Sequence, residues 1–168
     1  LIGIGQSMLW ITTLVLAITG VIPIWFGFII ATICMSMAYL PSHEGQHGNL
    51  SGRQDKWQWI DFVVGQISLL GLKQSHEVLR VTHMKHHAHT NDPDLDVDYQ
   101  SRADHWWKPA VAVHHRDVKL LQKHIELDPK FAEAIIRGIP IAKLLSLAQL
   151  VMVVLFPLET LLVWWLPS

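Results

Sequence analysis

The apolar and charged residues of this chain are separated into three successive segments. The first 42 residues contain no Asp, Glu, Lys, Arg or His. All thirteen Lys and Arg residues fall between Arg53 and Lys143, and Glu159 is the only charged residue from Leu144 onward. Because a helix needs about 20 apolar residues to cross a bilayer, this order predicts membrane helices on both sides of a polar central region.

The first apolar segment predicts a membrane hairpin over about residues 7–40. The runs Ser7–Thr19 and Ile24–Leu40 are separated by a break that ends at Pro23. Neither run has the polar face that a helix on the surface of a soluble protein needs. A pair of buried globular helices is the alternative. A cleaved signal peptide is disfavoured, because no basic stretch precedes the run and the run is too long.

The last apolar segment, about residues 141–168, predicts a second hairpin whose last helix is incomplete. Asp128–Pro129 is a good helix start, and Gly138 followed by Pro140 predicts the end of that helix. A turn at Pro157 would separate one membrane helix from the start of another, and a single tilted helix is the alternative. The expected fold class is therefore all-α and integral membrane, with one truncated domain over residues 1–168.

The polar central region, about residues 41–140, is expected to form a helical cap rich in histidine. Its periodicity predicts helices near residues 60–72, 74–89 and 117–127. The positive-inside rule places this region, which carries nearly all the Lys and Arg residues, in the cytoplasm. The net charge of −1 gives nucleic-acid binding no electrostatic support.

Five of the eleven histidines fall in two clusters with helical spacing. His43 and His47 stand at positions i and i+4, and a second cluster stands at i, i+3 and i+4, namely His83, His86 and His87. Such positions share one helix face, and neutral imidazole binds Fe, Zn, Cu and Ni well. Five imidazoles exceed the four ligands of a tetrahedral zinc ion, so the pattern favours two metal ions, or one and an incomplete second.

The first cluster also matches His-Glu-x-x-His, in which two histidines bind zinc and the glutamate is the general base of a metalloprotease. A membrane zinc metalloprotease is therefore a competing interpretation. It would need a third ligand from another segment, and it leaves the second cluster unexplained. A membrane scaffold or metal-binding protein without catalysis is a further alternative.

The two clusters, in this order and spacing, resemble the first two histidine boxes of the integral-membrane fatty acid desaturase superfamily. The run from His86 to Asp94 resembles the bacterial form of the second box. The flanking hairpins agree, so the resemblance covers nearly the whole chain. It implies four membrane helices, a cytoplasmic cap and a di-iron centre held almost entirely by histidine. The iron ligands carried over from the resemblance are His43, His47, His83, His86 and His87.

The resemblance implies an oxidoreductase that uses O2 and two electrons to desaturate the acyl chain of a lipid. A related di-iron lipid hydroxylase, or a carotenoid ketolase or hydroxylase, is the alternative. A C–H bond in a lipid tail cannot be broken by a side chain that acts as an acid or a base, so a metal has to activate the oxidant. The implied partners are a lipid acyl substrate, membrane lipid and a separate electron donor of ferredoxin, rubredoxin or cytochrome b5 type, with no nucleic acid. The implied location is multi-pass in a bacterial inner membrane, with the boxes facing the cytoplasm.

The resembled family has a third box, His-x-x-His-His or Gln-x-x-His-His, after its fourth membrane helix. The 168 residues do not contain it, since His114 and His115 lack its spacing and precede the last apolar segment. We therefore expect a fragment that does not complete the di-iron site by itself.

The remaining polar residues near the boxes have more ordinary interpretations as well. The candidates for hydrogen bonds to the ligands are Glu44, His89, Asn91 and Asp92. A helix cap is the alternative for Asn91 and Asp92, and a solvated carboxylate is the alternative for Glu44. We expect His76 at the surface or in a substrate channel, His105 and His124 in solvent or at the interface, and the tryptophans as interfacial anchors.

Overall fold

The structure is a computed structural model that describes residues 2–99, 105, 107 and 118–168. Helices are its only regular elements in these ranges, where no strand is present. The all-α fold class is therefore confirmed. The histidines at 114 and 115 lie outside the described residues.

The helices of the described part follow the hydrophobic pattern along the chain. They are, in order, α1 (Ile2–Ile18), α2 (Ile24–Gln46), a 3-10 turn (Asp55–Trp57), α3 (Gln58–Ser68), α4 (His76–His89), α5 (Val118–Leu127), α6 (Pro129–Leu155), α7 (Pro157–Thr160) and a π-helical turn (Leu161–Trp165). The chain divides into two compact units. The first unit is Leu1–His76 with Ile139–Ser168, and the second unit is Glu77–Gly138.

Among the described residues, two helices are long and apolar enough to cross a membrane: α2, with 23 residues, and α6, with 27. The helix α1 is also apolar but has 17 residues. Only 28% of the most apolar window of α2 and 6% of that of α6 are buried. A core helix of a soluble protein would be mostly buried, whereas Leu144 and Val154 on α6 are 66% and 74% exposed. Apolar exposure on this scale fits a lipid environment better than water.

The turn between α1 and α2 lies at the predicted break. Gly20 adopts a φ of +71°, a left-handed conformation that glycine enters without steric penalty. Pro23 directly precedes α2 with a φ of −60°, which suits the start of a helix. The hairpin turn therefore depends on two residues whose backbone preferences are visible in the sequence.

The predicted helix end at Gly138 and Pro140 is wrong, because α6 continues through both residues to Leu155. Proline removes one backbone hydrogen bond and glycine costs about 1 kcal/mol relative to alanine. Ending the helix at the start of an apolar run would leave several backbone groups unpaired where no water can bind them. The helix then breaks at Phe156, where φ is −140°, and α7 starts at Pro157. The prediction of a break there is confirmed.

Two tryptophans join three segments in the core of the first unit. The indole N–H of Trp10 on α1 donates to the carbonyl of Val163 at 3.0 Å, and that of Trp164 donates to the carbonyl of Gly71 at 2.8 Å. Their rings pack edge to face with centroids 5.2 Å apart. The expectation of interfacial tryptophans is wrong for this pair, whose rings are 5% exposed. It agrees with the exposed positions of Trp25 and other tryptophans.

The second unit is organised around the start of α6. The Asp128 carboxylate accepts hydrogen bonds from the backbone N–H groups of Lys130 and Phe131 at 3.1 Å, which confirms the predicted N-cap. It also pairs with Lys85 of α4 at 2.8 Å. The hydrogen bond from Lys85, followed by that from the Phe131 amide, holds the pKa of Asp128 below its usual value.

His124 is a core residue of the second unit, so the expectation that it is solvated or interfacial is wrong. Its Nε2–H donates to the carbonyl of Leu95 at 2.8 Å, and its ring lies 5.6 Å from that of Phe131. The buried face of α5 explains this, since Leu120 and His124 stand four residues apart and are both buried.

Replacing Trp164 by Phe keeps an aromatic ring in the core of the first unit but leaves the buried carbonyl of Gly71 without its donor. We expect the free energy of unfolding to fall by about 1–2 kcal/mol. The matched control is Trp165→Phe, because that ring is 55% exposed, and its effect should stay within about 0.5 kcal/mol. Denaturant unfolding in detergent measures both variants. Equal effects would contradict the assignment of Trp164 to the core.

Candidate metal centre

The first histidine box lies at the end of α2, in the first unit. His43 stands in the last turn of the helix, and His47 is the residue that terminates it. Their ring centroids are 4.7 Å apart, and the ring planes are inclined at 63°. The two imidazoles therefore share a helix face because α2 continues beyond Pro41.

Glu44 is exposed and contacts the first of these histidines. One of its carboxylate oxygens lies 3.2 Å from Nδ1 of His43, and the other accepts a hydrogen bond from the side chain of Asn49 at 2.8 Å. Glu44 is thus placed to orient His43. Its role toward a bound metal stays a prediction.

A buried carboxylate from α3 fixes the loop that follows His47. Asp61 is 6% exposed, and its Oδ1 accepts hydrogen bonds from the backbone N–H groups of Leu50 and Ser51 at 3.1 Å each. In the sequence, Asp61 stands alone as a charged residue in the apolar run that begins at Trp59. An isolated carboxylate inside such a run is the signal that could have identified it, since a buried carboxylate needs donors.

The second histidine box lies on α4, in the second unit. The Nε2 atoms of His83 and His87 are 3.0 Å apart, and the ring centroids are separated by 4.3 Å. Two nitrogens bound to one metal at about 2.1 Å lie about 3.0 Å apart when the angle at the metal is about 90°. The pair therefore fits a metal ion without moving, and it also fits an N–H···N hydrogen bond.

His86 presents a different arrangement, because a buried carboxylate holds its ring. Nδ1–H of His86 donates to Asp96 at 2.8 Å, and Asp96 is 1% exposed. A carboxylate on one ring nitrogen fixes the tautomer and leaves the lone pair of the other nitrogen for a metal. In the sequence, Asp94, Asp96 and Asp98 stand at alternate positions, and nothing there distinguishes Asp96 from the other two.

Asp96 also organises the loop that follows α4. Its carboxylate accepts the backbone N–H of Asn91 and that of Asp98, each at 2.9 Å. Burial raises the pKa of Asp96, but the hydrogen bonds from His86 and from these two amides outweigh burial and lower the pKa overall. The carboxylate is therefore ionised at neutral pH, as its role as an acceptor requires.

The other candidate neighbours of the second box lie in the same loop. His89 is the last residue of α4 and is half-buried. Asn91 adopts a φ of +64°, which ends the helix, and the side chain of Asp92 accepts the backbone N–H of Asp94 at 2.8 Å. The conformation of Asn91 agrees with the capping alternative for that residue, whereas the side chain of Asp92 bonds within the loop. Hydrogen bonds from these residues to a metal ligand stay a prediction.

Each box is thus formed by residues of one unit, the first at the end of α2 and the second on α4. Of the other histidines, His105 is exposed and stacks on Trp107 with centroids 6.2 Å apart, as expected. His76 is 2% exposed, so the expectation that it lies at the surface or in a channel is wrong. The assignment of all five box histidines to one site stays a prediction.

Comparison with known proteins identifies the class of protein. The model of the fatty acid desaturase family matches residues 19–168, so the chain belongs to this family. A search of curated proteins finds no match, and neither does a search of solved structures. Family membership supports a membrane enzyme of desaturase or oxygenase type that acts on a lipid acyl chain, and the histidine pairs are compatible with a metal site.

Replacing Asp96 by Asn keeps the size of the side chain but removes the charge that holds the Nδ1 proton of His86. We expect the affinity for Co2+ to fall about 10- to 100-fold. Asp94→Asn is the matched control, because it removes an exposed carboxylate from the same loop. Titration of the purified protein with Co2+, followed by absorption spectroscopy, measures both variants. Equal affinities in the two variants would rule out the orienting role of Asp96.

Proposed function

We propose that the chain belongs to a membrane oxidoreductase that uses O2 and a histidine-ligated di-iron centre to desaturate the acyl chain of a lipid. The observation that carries the proposal is the arrangement of the second box within a chain that matches the desaturase family. There the Nε2 atoms of His83 and His87 converge to 3.0 Å, and His86 is oriented by a buried carboxylate.

The ligands in this proposal are the five histidines of the two boxes. The imidazoles of each box lie on one face of one helix, as joint ligands must. When bound, the iron ions would supply the activation of O2 that is needed to break an unactivated C–H bond. A zinc protease would use His43 and His47 alone, with Glu44 as the base. It gives no reason for the converging pair on α4 or for the His86–Asp96 contact.

In this proposal the protein's own side chains fix the position of a proton on a ligand and provide an apolar surface for the substrate. Asp96 holds the proton of His86 at Nδ1, so that Nε2 keeps its lone pair for a ligand bond. The exposed apolar faces of α2 and α6 match a substrate whose chain already lies in the membrane. A substrate of this kind reaches the site without leaving the lipid.

The cellular arrangement in the proposal follows from the charge pattern. The polar central region and both boxes face the cytoplasm, where a separate donor of ferredoxin, rubredoxin or cytochrome b5 type delivers the electrons. The protein would be multi-pass in a bacterial inner membrane. Hydroxylation or ketolation of a lipid by the same type of centre is the related reaction that the experiment below distinguishes.

Metal content and lipid products together test the proposed function. Purified full-length protein should carry about two iron ions per chain, and cells that express it should accumulate lipids with new double bonds. His86→Ala should abolish the new double bonds, because it removes a ligand. His105→Ala, at an exposed histidine, should leave them unchanged.

Other outcomes would replace the proposal with a named alternative. New hydroxyl or keto groups in the lipids would make the protein a related oxygenase. One zinc ion per chain, no iron and cleavage of a membrane peptide would make it a protease. If the purified protein contains no metal and the lipids of the expressing cells are unchanged, a scaffold function is the remaining alternative.

A further inference from the structure

A buried histidine outside the two boxes occupies a slot between α2 and α3 in the first unit. His76 is 2% exposed, and its Nδ1 lies 3.0 Å from the hydroxyl of Ser42. The slot exists because two glycines face the ring. A Cβ added at Gly65 would overlap the imidazole, and one added at Gly45 would lie 3.1 Å from its Cε1. The ring of Phe62 closes the slot edge-on at 6.0 Å.

The backbone of His76 is held by contacts of its own, independently of those of the ring. Its N–H donates to the side-chain carbonyl of Gln66 at 2.9 Å, and the side-chain amide of Gln66 donates to the carbonyl of Gln74 at 3.0 Å. His76 therefore contacts α3 through its backbone and α2 through its ring. A surface histidine would need neither attachment.

The partner of His76 belongs to a buried polar pair on α2. The side-chain amide of Gln46 donates to the Ser42 hydroxyl at 3.2 Å, and these two residues are 2% and 0% exposed. Ser42 directly precedes His43 and Gln46 directly precedes His47. Since successive helix positions are about 100° apart, holding the stripe of Ser42 and Gln46 against α3 sets the direction in which the adjacent histidine stripe points.

This end of α2 requires such external support. Pro41 lies inside the helix and has no backbone N–H to donate to the preceding turn. The turn beyond it also contains Gly45, which weakens a helix by about 1 kcal/mol relative to alanine. The helix segment that carries the first box is therefore the least self-supporting part of α2.

We propose that His76 is a positioning residue for the first histidine box. Through Ser42 and Gln46 it holds the last turn of α2 in the rotation that presents His43 and His47 to a metal ion. The inference rests on the proposed function to the extent that these two histidines bind metal. His76 itself touches neither metal nor substrate.

The experiment compares the loss of this contact with the loss of another buried hydrogen bond. Ser42→Ala removes the hydroxyl that contacts His76, and His76→Phe fills the slot without a polar atom. Ser7→Ala is the matched control, because the Ser7 hydroxyl is buried and donates to the carbonyl of Ile67 at 2.8 Å, away from the box. His76→Asn places a polar atom near the former position of Nδ1 and serves as the rescue variant.

Two readouts separate positioning from packing in the purified full-length protein. We expect Ser42→Ala and His76→Phe to weaken Co2+ binding about 10- to 100-fold and to shift its visible absorption band. Hydrogen exchange at the amides of residues 42–47 should also become faster in the metal-free state. We expect Ser7→Ala to lower thermal stability without changing either readout, and His76→Asn to restore much of the wild-type Co2+ affinity.

The possible failures are distinguishable from one another. If the wild-type protein binds no Co2+, the proposed function fails and the inference fails with it. If the wild-type protein binds Co2+ and Ser42→Ala behaves like Ser7→Ala, the proposed function stands and His76 is only a packing residue. Should His76→Phe fail to fold, Ser42→Ala, which removes a single oxygen, decides the question.

Discussion

The continuation of α2 beyond Pro41 is the constraint on which the first unit depends. A helix in lipid must satisfy its backbone groups internally, and the proline removes one of those hydrogen bonds just where the chain becomes polar. The helix nevertheless continues to Gln46. Its buried side is held there by Ser42, whose hydroxyl contacts His76 and accepts a hydrogen bond from Gln46. The apolar run alone would have ended before the histidines. The helix therefore reaches His43 and His47 because buried polar contacts stabilise α2 beyond its apolar run.

In both histidine boxes, contacts with other residues restrict the orientation of the imidazoles. A histidine near a helix end has freedom at χ1 and χ2, and a metal ion binds more tightly when this freedom is already restricted. In the second unit Asp96 acts directly, because it holds the ring of His86 and at the same time closes the loop after α4. In the first unit Glu44 contacts the ring of His43 directly, and the restraint that we infer from His76 acts through the helix, by way of Ser42 and Gln46. Asp96 and His76 each lie at least ten residues from the residue that they contact.

Local chemistry explains which parts of this structure were predictable. The hairpin turn, the start of α6 at Asp128 and the histidine faces of α2 and α4 depend on neighbouring residues, so their patterns are visible in the sequence. The course of α6 through Gly138 and Pro140 was mispredicted, because the apolar run that follows outweighs two weak helix formers. The partners of Asp96, Asp61, His76 and His124 could not be predicted in this way. Each of these residues contacts a partner at least ten residues away, which periodicity does not report.

The surroundings of a histidine, more than its spacing, separate a candidate ligand from a core residue in this chain. His76 and His124 are almost fully buried, and each has a ring nitrogen in contact with a hydroxyl or a carbonyl. Such contacts satisfy a neutral imidazole in place and stabilise packing. His83 is partly buried and His87 is exposed, and their Nε2 atoms lie 3.0 Å apart. Two basic nitrogens at that distance need either a shared proton or a shared cation. That need is what makes the pair on α4 a candidate metal site.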